Sequence, residues 1–105
     1  MFEDRRRAFE AKYEHDQELA FRIRAHRDKL FGLRIAEQLG YRDETAKDYA
    51  MRFVIELGPK HDEVVQNHAL DSLQRAHVPC TAAAIQAAFD AAQLEAEKEL
   101  GGPKG

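Results

Sequence analysis

The sequence is poor in residues that staple, anchor or break a chain. It has one cysteine, Cys80, and one serine, Ser72, among 105 residues. A lone thiol excludes an internal disulfide, and five scattered histidines do not by themselves supply a zinc pattern. No hydrophobic run approaches the roughly 18 to 20 residues that a membrane-spanning helix needs. The first residues carry Arg5, Arg6 and Arg7 beside Glu3, Asp4 and Glu10, with neither an apolar core nor a small-residue cleavage site, so no secretory or transit peptide is expected. A cytoplasmic location is the expectation. An excess of one charge sign is also missing: 16 basic residues face 19 acidic ones, for a net charge of -3. Without a broad positive field, nucleic acid is not an expected partner. A chain of 12.0 kDa builds one domain and leaves little room for a deep catalytic cleft.

Catalytic signatures are absent too. There is no glycine loop to cradle a phosphate, no His-Glu-x-x-His helix, and no serine or cysteine in a nucleophile context. Cys80 precedes a predicted helix N-cap, where the dipole would lower a thiol pKa if the sulfur faced the first turn; a small buried filler is the simpler role. His61 and His68 sit near Asp62 and Asp71 on one helix. Seven residues rise roughly 10 Å along a helix, too far for two imidazoles to share one ion, so both are expected at the surface. His15 and His26 lie among charged neighbours and are candidate pH-sensitive contacts.

What the sequence does contain is helix punctuation. Glycine and proline cluster at Gly40, at Gly58 and Pro59, at Pro79, and at Gly101 to Pro103, and they divide the chain into four predicted helices. The first runs from about Glu3 to Leu39, with Gly32 as its weak point, where glycine costs roughly 1 kcal/mol relative to alanine. The second starts with Asp43 as N-cap and ends at Leu57, before a left-handed Gly58. The third covers about 60–76, and the fourth runs from the N-cap Thr81 to about Leu100. Apolar residues recur at three and four spacing in each segment. The predicted stripes are Leu19, Ile23, His26, Leu30 and Leu33, widened by Phe31, Ile35 and Leu39, on the first helix. Ala46, Tyr49, Ala50, Phe53 and Leu57 follow on the second, Val64, Val65, Ala69, Leu73 and Ala76 on the third, and Ile85, Ala88, Phe89, Ala92 and Ala96 on the fourth. The expected fold is all-α, a small four-helix bundle with a long first helix.

That first helix changes character along its length. Read backward from Leu19, the stripe meets Asp16 and Lys12, which could not be buried without partners. Only Ala8, Phe9, Ala11 and Tyr13 are apolar between residues 3 and 18. Residues 1–18 are therefore expected as an arm that projects from the bundle or packs on it loosely, 19–100 as the bundle, and 101–105 as a disordered tail. Pairs such as Glu3 with Arg7 and Glu18 with Arg22 would support the arm by only ~0.2 to 0.5 kcal/mol each. The run Arg5-Arg6-Arg7 reads either as a solvated helical face or as a partner-binding face with arginine and aromatic anchors. Charge is divided unevenly as well: residues 1–38 hold nine basic and eight acidic groups, whereas 39–105 hold seven and eleven, a net of -4.

The first helix resembles one family closely. The runs Phe2-Glu3-Asp4-Arg5, Arg7-Ala8-Phe9-Glu10-Ala11-Lys12-Tyr13 and His15-Asp16-Gln17-Glu18-Leu19 are similar to the zeta subunit family, the inhibitor of the F-type ATP synthase in alphaproteobacteria. Phe21-Arg22, Ala25, Arg27, Lys29-Leu30, Gly32-Leu33, Ala36-Glu37 and Leu39-Gly40 continue the match. Past residue 40 it rests on helix order and on Tyr49-Ala50, Val78, Thr81 and Ile85. The resemblance implies a non-enzymatic inhibitor without a cofactor or metal. It also implies an N-terminal helix that enters a catalytic interface near the rotor, between a catalytic and a non-catalytic subunit, and blocks ATP hydrolysis. On that reading Phe2, Phe9 and Tyr13 are anchors, and Arg5, Arg6, Arg7, Glu10 and Lys12 set orientation through charge pairs. The free chain is expected to be a monomer, peripheral to the inner membrane through the synthase and not inserted in it. The chain departs from the family pattern at Glu14, where a small residue is usual, and at Asp28, Phe31 and Arg34, which stand for asparagine, leucine and tryptophan; Phe31 and Arg34 are expected in the core-facing half. The alternative reading is a helical module that binds nucleotide or metal in a groove of the bundle.

Overall fold

The computed structural model describes the backbone of residues 2–101 and the side chains of residues 15–101. Four helices follow one another: α1 (Phe2–Gln38), α2 (Asp43–Arg52) prolonged by a π-helical turn (Phe53–Leu57), α3 (Asp62–Arg75) and α4 (Ala82–Leu100). α1 is the spine, packing chiefly on α4 and α2, and α3 closes the remaining side. The all-α expectation holds. Residues 102–105 of the predicted tail lie outside the described residues.

Local chemistry explains the boundaries. α1 stops where Gly40 takes φ +84, a conformation in which a Cβ is strained. There the Tyr41 N–H donates to the Ala36 carbonyl at 2.9 Å and the Gly40 N–H to the Glu37 carbonyl at 3.0 Å, which satisfies two carbonyls of the last turn. α3 ends in the same way with His77 in the glycine position at φ +58, and Val78 N–H donates to the Leu73 carbonyl at 2.9 Å. Thr81 caps α4 as predicted, its hydroxyl accepting from the Ala84 N–H at 3.1 Å, and Gly101 ends that helix at φ +67.

Three boundaries differ from the sequence expectation. Asp43 is not the N-cap of α2 but its first helical residue, at φ +51; Arg42 holds the cap position without a side-chain hydrogen bond. Gly58 is not left-handed, since its φ is -53. Glycine is needed there for another reason: the wider π turn brings the Val54 carbonyl oxygen to 2.3 Å from where a Cβ would stand. α3 starts at Asp62, two residues later than expected, because the Lys60 N–H is turned back to the Leu57 carbonyl at 2.9 Å.

The core gathers Phe31 and Ile35 of α1, Phe53 of the π turn, Val65, Ala69 and Leu73 of α3, and Ile85, Phe89 and Ala92 of α4. Phe31 is its centre, meeting the rings of Phe53 at 5.7 Å and Phe89 at 5.2 Å edge to face. The buried line of α1 is rotated from the predicted stripe. Ile23, Arg27, Asp28, Phe31, Gly32, Ile35 and Ala36 are buried, whereas Leu19, His26, Leu30, Leu33 and Leu39 are half-buried at the margins. The line follows a spacing of four, and the apolar count misplaced it because two charged residues lie in its middle. Arg34, expected in the core-facing half, is exposed, while Phe31 is fully buried. Val64 and Ala76 of the predicted α3 stripe are exposed as well.

Candidate functional site

The predicted contact residues Phe2, Arg5, Arg6, Arg7, Phe9, Glu10, Lys12 and Tyr13 lie on α1, but their side chains fall outside the described ones. What the structure describes is the place where that part of the helix meets the bundle. From His15 to Arg22 every side chain is exposed except the half-buried Leu19, and Ile23 is the first buried one among the described residues. The Arg22 guanidinium donates to the Glu18 carboxylate at 2.8 Å, but both groups are largely exposed, so the pair stabilises little.

One turn beyond Ile23, a charged cluster closes the core. Arg27 lies over the Phe89 ring, its guanidinium carbon 4.3 Å from the centroid. Its Nε and Nη2 donate to Asp28 Oδ1 at 3.1 and 3.0 Å, and Nη2 also donates to Asp62 Oδ1 at 3.1 Å. Nη1 reaches Gln93 Oε1 at 3.4 Å. One side chain of α1 thus links α1, α3 and α4. Beside it, Arg24 Nη2 donates to the Lys60 carbonyl on the approach to α3 and stands 3.9 Å from Asp62 Oδ1. Removal from water pushes the Asp28 carboxyl above the usual carboxylate range, against the opposing pull of Arg27. Its Oδ2 has no protein partner among the described residues.

Further contacts tie α1 to its neighbours. His26, predicted to fill the stripe, instead sits on the margin and bonds the Glu99 carboxylate near the end of α4. Tyr49 stacks between Tyr41 and Phe53, with ring centroids 5.6 and 5.0 Å away. Its phenol is pushed up by burial, and its hydroxyl has no hydrogen-bond partner among the described residues. His15 and His61 are exposed, and His68 is exposed with its ring edge-on to Phe53 at 5.4 Å. Among the described residues no group of three or more His, Cys, Asp or Glu side chains is placed to hold a metal ion. Cys80 is half-buried and packs against the core. No described helix is long and apolar enough to cross a membrane.

Sequence reasoning missed the Arg27–Asp28–Asp62 cluster. A signal was present: Ile23, Arg27, Phe31 and Ile35 form one series of four-residue steps, and a charge inside such a series needs a buried partner.

The structure defines a four-helix all-α unit with a long first helix, of which residues 15–22 bury no side chain. The whole chain but its last six residues, 1–99, matches the model of the family described as ATPase inhibitor subunit zeta, and the chain belongs to that family. It is a non-enzymatic regulator, an inhibitor of the F-type ATP synthase. Comparison with curated proteins and with solved structures gave no match.

Proposed function

We propose that the chain stops ATP hydrolysis by inserting the N-terminal part of α1, residues 1–18, at a catalytic interface of the synthase near its rotor. The supporting observation is the burial pattern of α1. Its helix begins at Phe2, and among its described side chains none from residue 15 to 22 is buried, so those turns are available to a partner without dismantling the core. In this reading Phe2, Phe9 and Tyr13 enter apolar pockets of a groove, and Arg5, Arg6, Arg7, Glu10 and Lys12 fix orientation by charge pairs. Affinity comes from the desolvated aromatic centre, because exposed ion pairs contribute about 0 to 1 kcal/mol each. The partners are catalytic, non-catalytic and rotor subunits. The free chain acts as a monomer in the cytoplasm and reaches the membrane only through the synthase.

The test is an ATP hydrolysis assay on the isolated catalytic sector, with the full chain and with a variant lacking residues 1–18. The full chain slows hydrolysis at saturation. The shortened chain keeps its helical circular dichroism and cooperative melting but no longer inhibits. Equal inhibition by the two chains would move the inhibitory contact into the bundle.

A further inference from the structure

Seven large hydrophobic side chains are exposed among the described residues, and three of them, Phe21, Met51 and Leu100, converge on one groove. Single exposed hydrophobics are ordinary on a protein surface, whereas a contiguous group marks a place where something binds. The groove, a cavity of ≈ 370 Å³, lies between α1, α2 with its π turn and the last residue of α4, and Ala25 and Val54 complete its apolar floor. Phe21 is 72% exposed, so most of its ring is in water. Phe21, Ala25 and Lys29 follow one another at four-residue steps on α1 and line one side of it over about 12 Å, the length of two turns of a second helix laid beside them. The charged lining has one sign. Three of the eight lining residues, Arg22, His26 and Lys29, are basic, and none is acidic. Arg22 is shared with Glu18 and His26 with Glu99, while the exposed Lys29 makes no ion pair among the described residues.

We infer that this groove docks an amphipathic helix of a partner protein, one with aliphatic residues on one face and acidic residues beside them. Aliphatic side chains spaced by three and four residues cover Phe21, Met51 and Leu100, and a flanking carboxylate meets Lys29. The fold selects a helix, since the described residues contain no strand whose free edge could accept an extended peptide. Charge disfavours a lipid surface. An anionic membrane meets the whole bundle, whose residues 39–105 carry a net of -4, whereas one helix meets only the basic lining within a screening length of about 8 Å.

Two designed peptides of about 15 residues, long enough to form helix, carry the same leucine face and differ only in having glutamate or lysine beside it. Each is titrated into the full-length chain at low salt while backbone amide chemical shifts are followed. The glutamate peptide gives saturable shifts centred on Ala25, Met51, Val54 and Leu100 and binds about fivefold more tightly than the lysine peptide, the scale of exposed ion pairs, with a preference that shrinks as salt is raised. Phe21→Ala, at an exposed position, weakens both peptides about tenfold by removing apolar contact. Lys29→Glu, also at the surface, abolishes or inverts the preference while the leucine face still binds. Equal affinity for the two peptides, a preference for lysine in the parent chain, saturable shifts elsewhere only, or none, overturns the inference. Shifts at the same residues when the chain alone is concentrated would assign the groove to a second copy, and tighter binding to phosphatidylglycerol vesicles than to the glutamate peptide would assign it to lipid; either overturns it as well. No synthase enters the measurement, so its outcome is independent of the inhibitory reading above.

Discussion

Replacing Gly32 by alanine sets two energies of similar size against each other. Alanine is the better helix former by about 1 kcal/mol, so a surface glycine at this position of α1 would gain stability on replacement. Gly32 is buried against α2, however. A Cβ there stands 2.8 Å from the Ala50 Cα and 3.3 Å from both Ala50 Cβ and Phe53 Cγ. The first contact is with backbone inside a helix, and Phe53 is held between Phe31 and Tyr49, so none of these atoms can retreat without moving α2. Overpacking of this kind costs about 1 to 3 kcal/mol. Because the 2.8 Å contact is with helix backbone, the cost falls in the upper part of that range, about 2 to 3 kcal/mol, and subtracting the propensity gain of about 1 kcal/mol leaves a net loss of about 1 to 2 kcal/mol, equivalent to a fall in Tm of roughly 4 to 15 °C for a domain of this size. Urea and thermal unfolding followed at 222 nm measure it. Ala87→Gly, at an exposed position of α4, supplies the propensity contribution alone, a loss of about 1 kcal/mol. A Gly32→Ala chain as stable as the parent, or more so, would refute the close approach of α1 and α2 at Ala50.

Three further changes probe the charged cluster and a cap. Arg27→Met strips Asp28 of its partner and should lower stability by about 3 to 5 kcal/mol in urea unfolding, with much of the loss restored in the double variant Arg27→Met/Asp28→Asn; a loss below about 1 kcal/mol contradicts the hub role. Burial raises the folded Asp28 pKa above its ordinary value of 3.8, so the native state binds the proton more tightly and stability falls as pH climbs from 3.8 through the folded pKa. The stability of the parent relative to Asp28→Asn is accordingly highest in acid and declines across that window, measured as urea midpoints; a pH-independent difference rules this out. Thr81→Ala removes the bond to the Ala84 N–H and should cost about 1 kcal/mol, read as a shift in midpoint with unchanged slope.

The parts of the fold that were legible are those decided by short-range chemistry. Gly40 and Gly101 end helices because positive φ suits a residue without Cβ, and Thr81 starts one because its hydroxyl replaces a missing backbone partner. Phe53 and Phe89 were readable as core from spacing alone. The rest depends on packing. Gly58 has the residue type a left-handed cap requires, but the π turn needs glycine for space, and only the neighbouring Val54 carbonyl distinguishes the two. His77 adopts a positive φ with no glycine there to announce it. Arg27 and Asp28 were invisible as core because apolar periodicity scores charge as surface, whereas Asp62, Gln93 and the Phe89 ring arrive from distant parts of the chain. For the segment proposed as inhibitory, legibility came from the matched runs of the family and not from physics.

The charged closure also bears on how one helix can serve two purposes. Had the core ended in apolar residues at Arg27 and Asp28, the next turns toward the N-terminus would have needed apolar cover to keep that end dry. An arginine lying on Phe89 and bonded to two aspartates seals the end with its own partners, and polar turns can follow directly. α1 therefore passes, within about one turn of Ile23, from positions held by tertiary packing to positions 15–22 supported by local pairs such as Glu18 with Arg22. Such pairs supply about 0.2 to 0.5 kcal/mol each, too little to keep a short helix ordered alone in water. The sealed end thus fixes the direction in which α1 leaves the bundle, and in the function proposed above the surface that covers the helix farther out is supplied by the synthase.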